Sequence, residues 1–215
     1  ISQVVDAVEI AWNEDILPAL KAYIKIPNLS PGFDKEWEKN GHMEAAVQLF
    51  TGWAHAYGPN NLTVDVNRIE GRTPLLFIEA PATDGSDRTV LVYGHLDKQP
   101  ECGMWREGLH MHTPVQEGDR LYGRGAADDG YAMFAAIEAL RALKEQNMPH
   151  ARVVILIEAS EELAICPDEQ GRWNLTSWTS TESLLQVRRR GFAELELSLA
   201  GRVSQLPRRA GEPRR

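Results

Sequence analysis

Apolar residues recur at two periods along the first 162 positions, and the alternation of those periods predicts an α/β chain. Residues 2–25 carry Val5, Val8, Trp12 and Ile16 at helical spacing, which predicts a helix with that stripe buried. Pro18 should kink this helix or restart it after an N-cap at Asn13. Residues 26–34 (IPNLSPGFD) read as a loop, and residues 41–57 as a second helix facing inward through Met43, Val47 and Phe50. Period two takes over in 61–70, where Leu62, Val64 and Val66 alternate with polar residues. Residues 74–80 (PLLFIEA), 89–97 (TVLVYGHLD) and 151–162 (ARVVILIEASEE) are apolar runs, read as strands; the last two are buried runs that end in polar groups. Between them, 98–117 is irregular, 119–130 (DRLYGRGAADDG) is a short strand and a glycine-rich bend, and 130–146 is a helix with Met133, Ile137, Leu140 and Leu143 inward. Strands alternating with helices predict a largely parallel sheet flanked by helices. In such sheets chemistry collects beyond the carboxyl ends of the strands.

Composition divides the 215 residues in two. Residues 1–162 hold 14 basic and 25 acidic side chains, whereas 163–215 hold 9 basic, all Arg, and 6 acidic. The two parts are therefore read separately, and the second is expected to be a solvated Arg-rich tail that packs poorly and is cut first by proteases. An overall charge of −8 argues against a nucleic-acid binder working through net charge. The rival from that class is an acidic domain with a basic nucleic-acid-binding tail, through Arg188–Arg190 and the final PRRAGEPRR. No apolar run reaches the roughly 18 residues of a membrane span. The acidic start is unlike a signal peptide, and its first residue, Ile1, is the expectation for a chain lacking its natural start. Two cysteines, Cys102 and Cys166, make neither a disulfide framework nor a thiolate metal site, so a cytoplasmic location is expected.

Three polar groups stand where elements end. His95-Leu96-Asp97 puts an imidazole and a carboxylate two residues apart, on one face of a strand; such a pair also arises by chance. Asp128-Asp129 precede a helix, where carboxylates serve as caps as readily as they do chemistry. Glu161-Glu162 follow an apolar strand; adjacent glutamates are ordinarily solvated, but here one could bind a metal while the other acts as base. Together, imidazole and carboxylates suit zinc, cobalt or manganese. His110 and His112, His42 and His55 read as surface residues, and Trp105 as packing near the site.

GHLD at 94–97, LYGRGAADD at 121–129 and EASEE at 158–162 stand in the order and spacing of the co-catalytic zinc metallopeptidases, the family of carnosinase-like dipeptidases, aminoacylases, glutamate carboxypeptidase and diaminopimelate desuccinylases. The chain resembles that family over about residues 1–162. The resemblance implies that His95 binds one zinc, Asp128 bridges two, Glu162 binds the second, Asp97 orients His95 and Glu161 is the general base. It implies a cis peptide between Asp128 and Asp129, and hydrolysis of a small peptide or N-acyl amino acid. Lys98 and Gly130 depart from the commoner Val and Lys of these motifs. After Glu162 the family's small-residue turn is replaced by Leu163-Ala164-Ile165-Cys166. A further acidic ligand, a dimerisation or lid domain and a last His ligand have no counterpart, since the tail contains no His. Three of five expected ligands are thus present, as in a frameshifted or truncated product, and the isolated chain is expected to be a weak or inactive hydrolase. The rival reading is a non-catalytic remnant of the same fold.

Overall fold

The computed structural model describes residues 2–162, with side chains from Val4 onward. The expected poor packing of 163–215, and the division of the chain at that point, lie outside the described residues. Helix α1 (Ser2–Ala11) runs through a π-helical turn (Trp12–Ile16) into α2 (Leu17–Ile24). Pro18 follows closely on that π-helical turn, and the backbone stays helical through Ile16 and Leu17, so the expected disturbance takes the form of an irregular turn rather than a fresh helix start. Asn13 caps nothing: its amide donates back to Glu9 O at 2.9 Å. The predicted stripe is buried only at Ile16. Val5, Val8 and Trp12 are exposed, because no described element covers that side of α1.

Helix α3 (His42–Tyr57) precedes β1 (Thr63–Asn67) and β2 (Leu75–Ala80); β3 (Thr89–His95) follows. Two short strands form a hairpin: β4 (Val115–Glu117), at the end of the stretch expected to be irregular, and β5 (Arg120–Tyr122), the short strand expected in 119–130. The chain then bends through Ala126–Gly130 into α4 (Tyr131–Glu145) and closes on β6 (Arg152–Glu158).

The class is α/β with flanking helices, as expected, but strand direction is mixed. The four-stranded sheet has the order β1-β2-β6-β3. β3 and β6 are parallel, since α4 carries the chain back between them, while β1 pairs antiparallel with β2 and β2 with β6. The short connection between β1 and β2 can only reverse the chain. Leu76, Ile78 and Ala80 of β2 and Val153, Ile155 and Ile157 of β6 face the helices. Leu75, Phe77, Val154 and Leu156 on the opposite face are buried too, which is why both strands read as continuous apolar runs. β3 has a described neighbour on one side only, and Val90, Leu91 and Tyr93 are exposed; its apolar run overstated its burial.

Under the helices, Phe50 packs on Tyr23 and on Phe134, each at 5.1 Å between ring centroids, and Trp53 meets Phe134 edge-on at 4.8 Å. Around this cluster Met43, Val47 and Phe50 of the stripe read at 41–57 are buried, as are Met133, Ile137 and Leu140 of the one read at 130–146, while Leu143 is half-buried.

Candidate metal centre

Parallel register sets His95, the last residue of β3, opposite Glu158, the last of β6. The segments that follow each strand therefore emerge together. Asp97, two residues past His95, is fully buried. Its two carboxylate oxygens accept the backbone N–H groups of Glu161 and Glu162, both at 3.1 Å. One aspartate thus ties the end of β3 to the turn after β6. The same carboxylate lies 3.4 Å from His95 Nδ1, and the Asp97 carbonyl 3.2 Å from that nitrogen.

His95 is buried, and its Nε2 points into the gap between the strand ends. Asp128 Oδ1 lies 3.3 Å from it and Glu161 Oε2 3.7 Å. Burial pushes the imidazole pKa down, but the Asp97 hydrogen bond and charge, then Glu161 and Glu162, outweigh burial and hold it up at about 9. The carboxylates answer in kind. Burial raises the pKa of Glu161, of Glu162 and of Asp129, partly offset by His95 in each case. Glu162 is buried; its Oε2 accepts from Gln99 Nε2 at 2.6 Å, while its Oε1 has no hydrogen-bond partner among the described residues. Ligand atoms of His95, Glu161 and Glu162 all fall within 4.8 Å of one another. Asp128 reaches this group at His95 but is not within that mutual distance, and its side chain is 65% exposed.

The Asp128–Asp129 peptide is cis. Neither aspartate caps α4, whose N-terminus has no side-chain cap, so the plain capping reading of this pair does not hold. Asp129 turns the other way and accepts the His95 backbone N–H. This needs a close approach to β3: a Cβ on Gly94 would stand 2.7 Å from both Asp129 Oδ2 and Ala132 Cβ. Glycine at 94 is therefore a packing requirement of the site.

Chemically, one imidazole and several carboxylates face one another with an unsatisfied buried oxygen between them, an arrangement suited to a hard or borderline divalent cation. Sequence reasoning brought out His95, Asp97, Asp128, Glu161 and Glu162. It missed Gln99, which steadies Glu162; Asp129, read only as half of a pair; and Tyr93, whose hydroxyl donates to Glu158. Gln99 follows the GHLD motif directly, and Tyr93 lies two residues before His95 on the same strand face. Periodicity was the available signal for Tyr93.

Residues 91–182 match the profile of peptidase family M20/M25/M40, a match that runs past Glu162 into residues outside the description. An uncharacterised metallohydrolase of Methanocaldococcus jannaschii is 26% identical over 145 residues, 65% of this chain and 34% of that protein. The human Beta-Ala-His dipeptidase is 36% identical over 94 residues, 41% of this chain and 18% of that protein. The crystal structure of human carnosine dipeptidase 1 shares the fold, with a TM-score of 0.57 at 21% identity, covering 79% of this chain and 36% of that one. The chain spans about a third or less of the length of the curated relatives it matches. Over residues 91–182, then, this chain is similar to peptidase family M20/M25/M40, the family that its three motifs resemble.

Proposed function

We propose that His95, Asp128 and Glu162 hold divalent metal, zinc first with cobalt or manganese as substitutes, for hydrolysis of a dipeptide or N-acyl amino acid. The observation that carries this is the buried, unpartnered Oε1 of Glu162 beside His95 and Glu161. A buried carboxylate oxygen left without a donor is costly, and a cation is its natural partner. Asp97 orients the His95 ring through Nδ1 and leaves Nε2 turned toward the gap. Bound metal, two ions in the complete family site, would polarise the scissile carbonyl and acidify water. Glu161 takes the proton of the attacking water and returns it to the leaving amine. Its raised pKa brings it closer to neutrality, where a carboxyl serves in both directions.

Dipeptide chemistry is supported by the names of the human relatives; the side chains accepted stay open in the proposal. Small molecules rather than nucleic acid fit the net charge of −8. No described helix is long and apolar enough to cross a membrane, and a cytoplasmic location belongs to the same proposal. Each metal would keep two of three expected protein ligands, fewer than the three or more normal for zinc. The isolated chain is therefore a weak or inactive hydrolase. The test is the purified chain, loaded with zinc, cobalt or manganese, on a dipeptide panel. Turnover well below the ordinary range of about 1–1000 per second, lost entirely in Glu161→Gln, is expected. Full turnover would overturn the incompleteness, and turnover unaffected by Glu161→Gln would overturn the role of that residue.

A further inference from the structure

Lys98 is completely buried, next in sequence to Asp97, and no described carboxylate pairs with it. Its Nζ instead donates to Tyr23 O and Ile26 O, both at 2.7 Å, lies 3.4 Å from Ile24 O, and sits 3.9 Å from the centre of the Tyr23 ring. Tyr23 and Ile24 close α2 and Ile26 lies two residues beyond it, so these carbonyls stand at the C-terminal end of the helix, where its dipole favours a cation. Burial costs the ammonium enough to bring its pKa down to about 7. A lysine kept under that cost, without a counter-carboxylate, has geometry as its compensation.

The geometry has two sides. On one, the backbone around Asp97 is laced to the segment after α2. Leu96 O accepts both Tyr23 Oη at 2.7 Å and Asn28 Nδ2 at 2.5 Å; Lys98 N donates to Asn28 O at 3.1 Å; and Ser30 N donates to Lys98 O at 2.9 Å. On the other side the lysine stem lies against the glycine bend leading to Asp128. A Cβ on Gly125 would stand 2.6 Å from Lys98 Cε, and Gly125 has a φ of +91°, which an L side chain rarely adopts. The stem thus fills the space between the end of α2 and the bend.

We propose that Lys98 is a positioning residue: seated on the carbonyl end of α2, it fixes Asp97, and through Asp97 the backbone of Glu161 and Glu162, relative to the bend that carries Asp128. The placement stands on its own, and its consequence for metal rests on the function proposed above. A valine, the commoner residue here in the family the motifs resemble, would lack the ammonium, so this chain would hold its site end differently.

The test is Lys98→Met, which keeps the stem and removes the ammonium, read by hydrogen exchange of single amides. The N–H groups of Glu161 and Glu162 are held by Asp97, whereas those of Val154 and Ile155 belong to the sheet. The expected result is at least about tenfold faster exchange at Glu161 and Glu162 with Val154 and Ile155 unchanged, the pattern of a local opening. Unchanged exchange at the two glutamates, or equal acceleration at all four amides, would overturn the proposal, the latter because it marks a merely structural lysine. Should Lys98→Met not fold, Lys98→Val carries the same readout. Cobalt titration in parallel should show weaker binding by about 10–100-fold, the usual scale for a group that orients ligands. If the wild-type chain takes up no cobalt, the metal reading fails, while the exchange data still decide the role of Lys98.

Discussion

The helix-covered core and the carboxyl end of the sheet both bury side chains and are built on opposite principles. In the core, Tyr23, Phe50, Trp53 and Phe134 interlock over the apolar face of β2 and β6, and every atom removed from water contributes. At the site end, Asn28, Ser30, His95, Asp97, Lys98 and Glu162 are buried as well, but they exchange water for hydrogen bonds of small net value. Oxygens of Asn28, Ser30 and Glu162 stay without a partner among the described residues. The core therefore holds the site, and the site does not hold the core. Burial of apolar atoms marks the first region; what marks the second is burial that leaves polar atoms wanting.

The contrast is broken most severely at Phe134. Phe134→Ala should cost about 3–5 kcal/mol of stability, read by chemical denaturation, while metal affinity of the fraction still folded stays unchanged. Glu162→Gln should do the reverse. Its burial already favours the uncharged carboxyl, so stability should move by less than about 1 kcal/mol, while titration calorimetry shows zinc affinity falling by at least about tenfold.

Acidity separates the two regions next. His95 has a folded pKa raised to about 9, above its unfolded value of about 6.5. Its contribution to the metal-free chain is fully present below about pH 6.5 and is lost as pH rises through about 9. The raised carboxyls of Glu161, Glu162 and Asp129 act in the same sense, at lower pH. Thermal midpoints of the metal-free chain should fall over that window and flatten in His95→Gln. With zinc the trend reverses, because binding releases the proton from His95. The smallest effect belongs to neither region. Arg68 and Glu44 pair at 2.8 Å in solvent, and Arg68→Ala should change stability by no more than about 0.5 kcal/mol, with no effect on metal uptake.

The helices of the core were legible because Met43, Val47 and Phe50, and Met133 and Ile137, follow a period that only burial of one face explains. The apolar runs of β2 and β6 were legible for a related reason: strands buried on both faces need no alternation. Direction was not. Whether a strand runs with or against its neighbour depends on which strand lies between, and β6 inserts between β2 and β3 after an excursion of more than fifty residues. Exposure at Val5, Val8 and Trp12, and along β3, escaped for the same cause, since an apolar stripe says nothing about what covers it. At the site, GHLD, AADD and EASEE announced the charged groups. They did not announce Lys98 or Gln99, whose partners, Tyr23 and Ile26 in one case and Glu162 in the other, lie more than sixty residues away.

The central claim is that the ends of β3 and β6 form one metal centre. Crystals of the chain grown with zinc, with anomalous scattering recorded at the zinc edge, test it directly. The account predicts one peak about 2.0–2.2 Å from His95 Nε2 and, for the second ion, one at the same distance from a Glu162 carboxylate oxygen, the normal range for zinc with nitrogen and oxygen ligands. Zinc bound elsewhere, with His95 and Glu162 both unliganded, would contradict it.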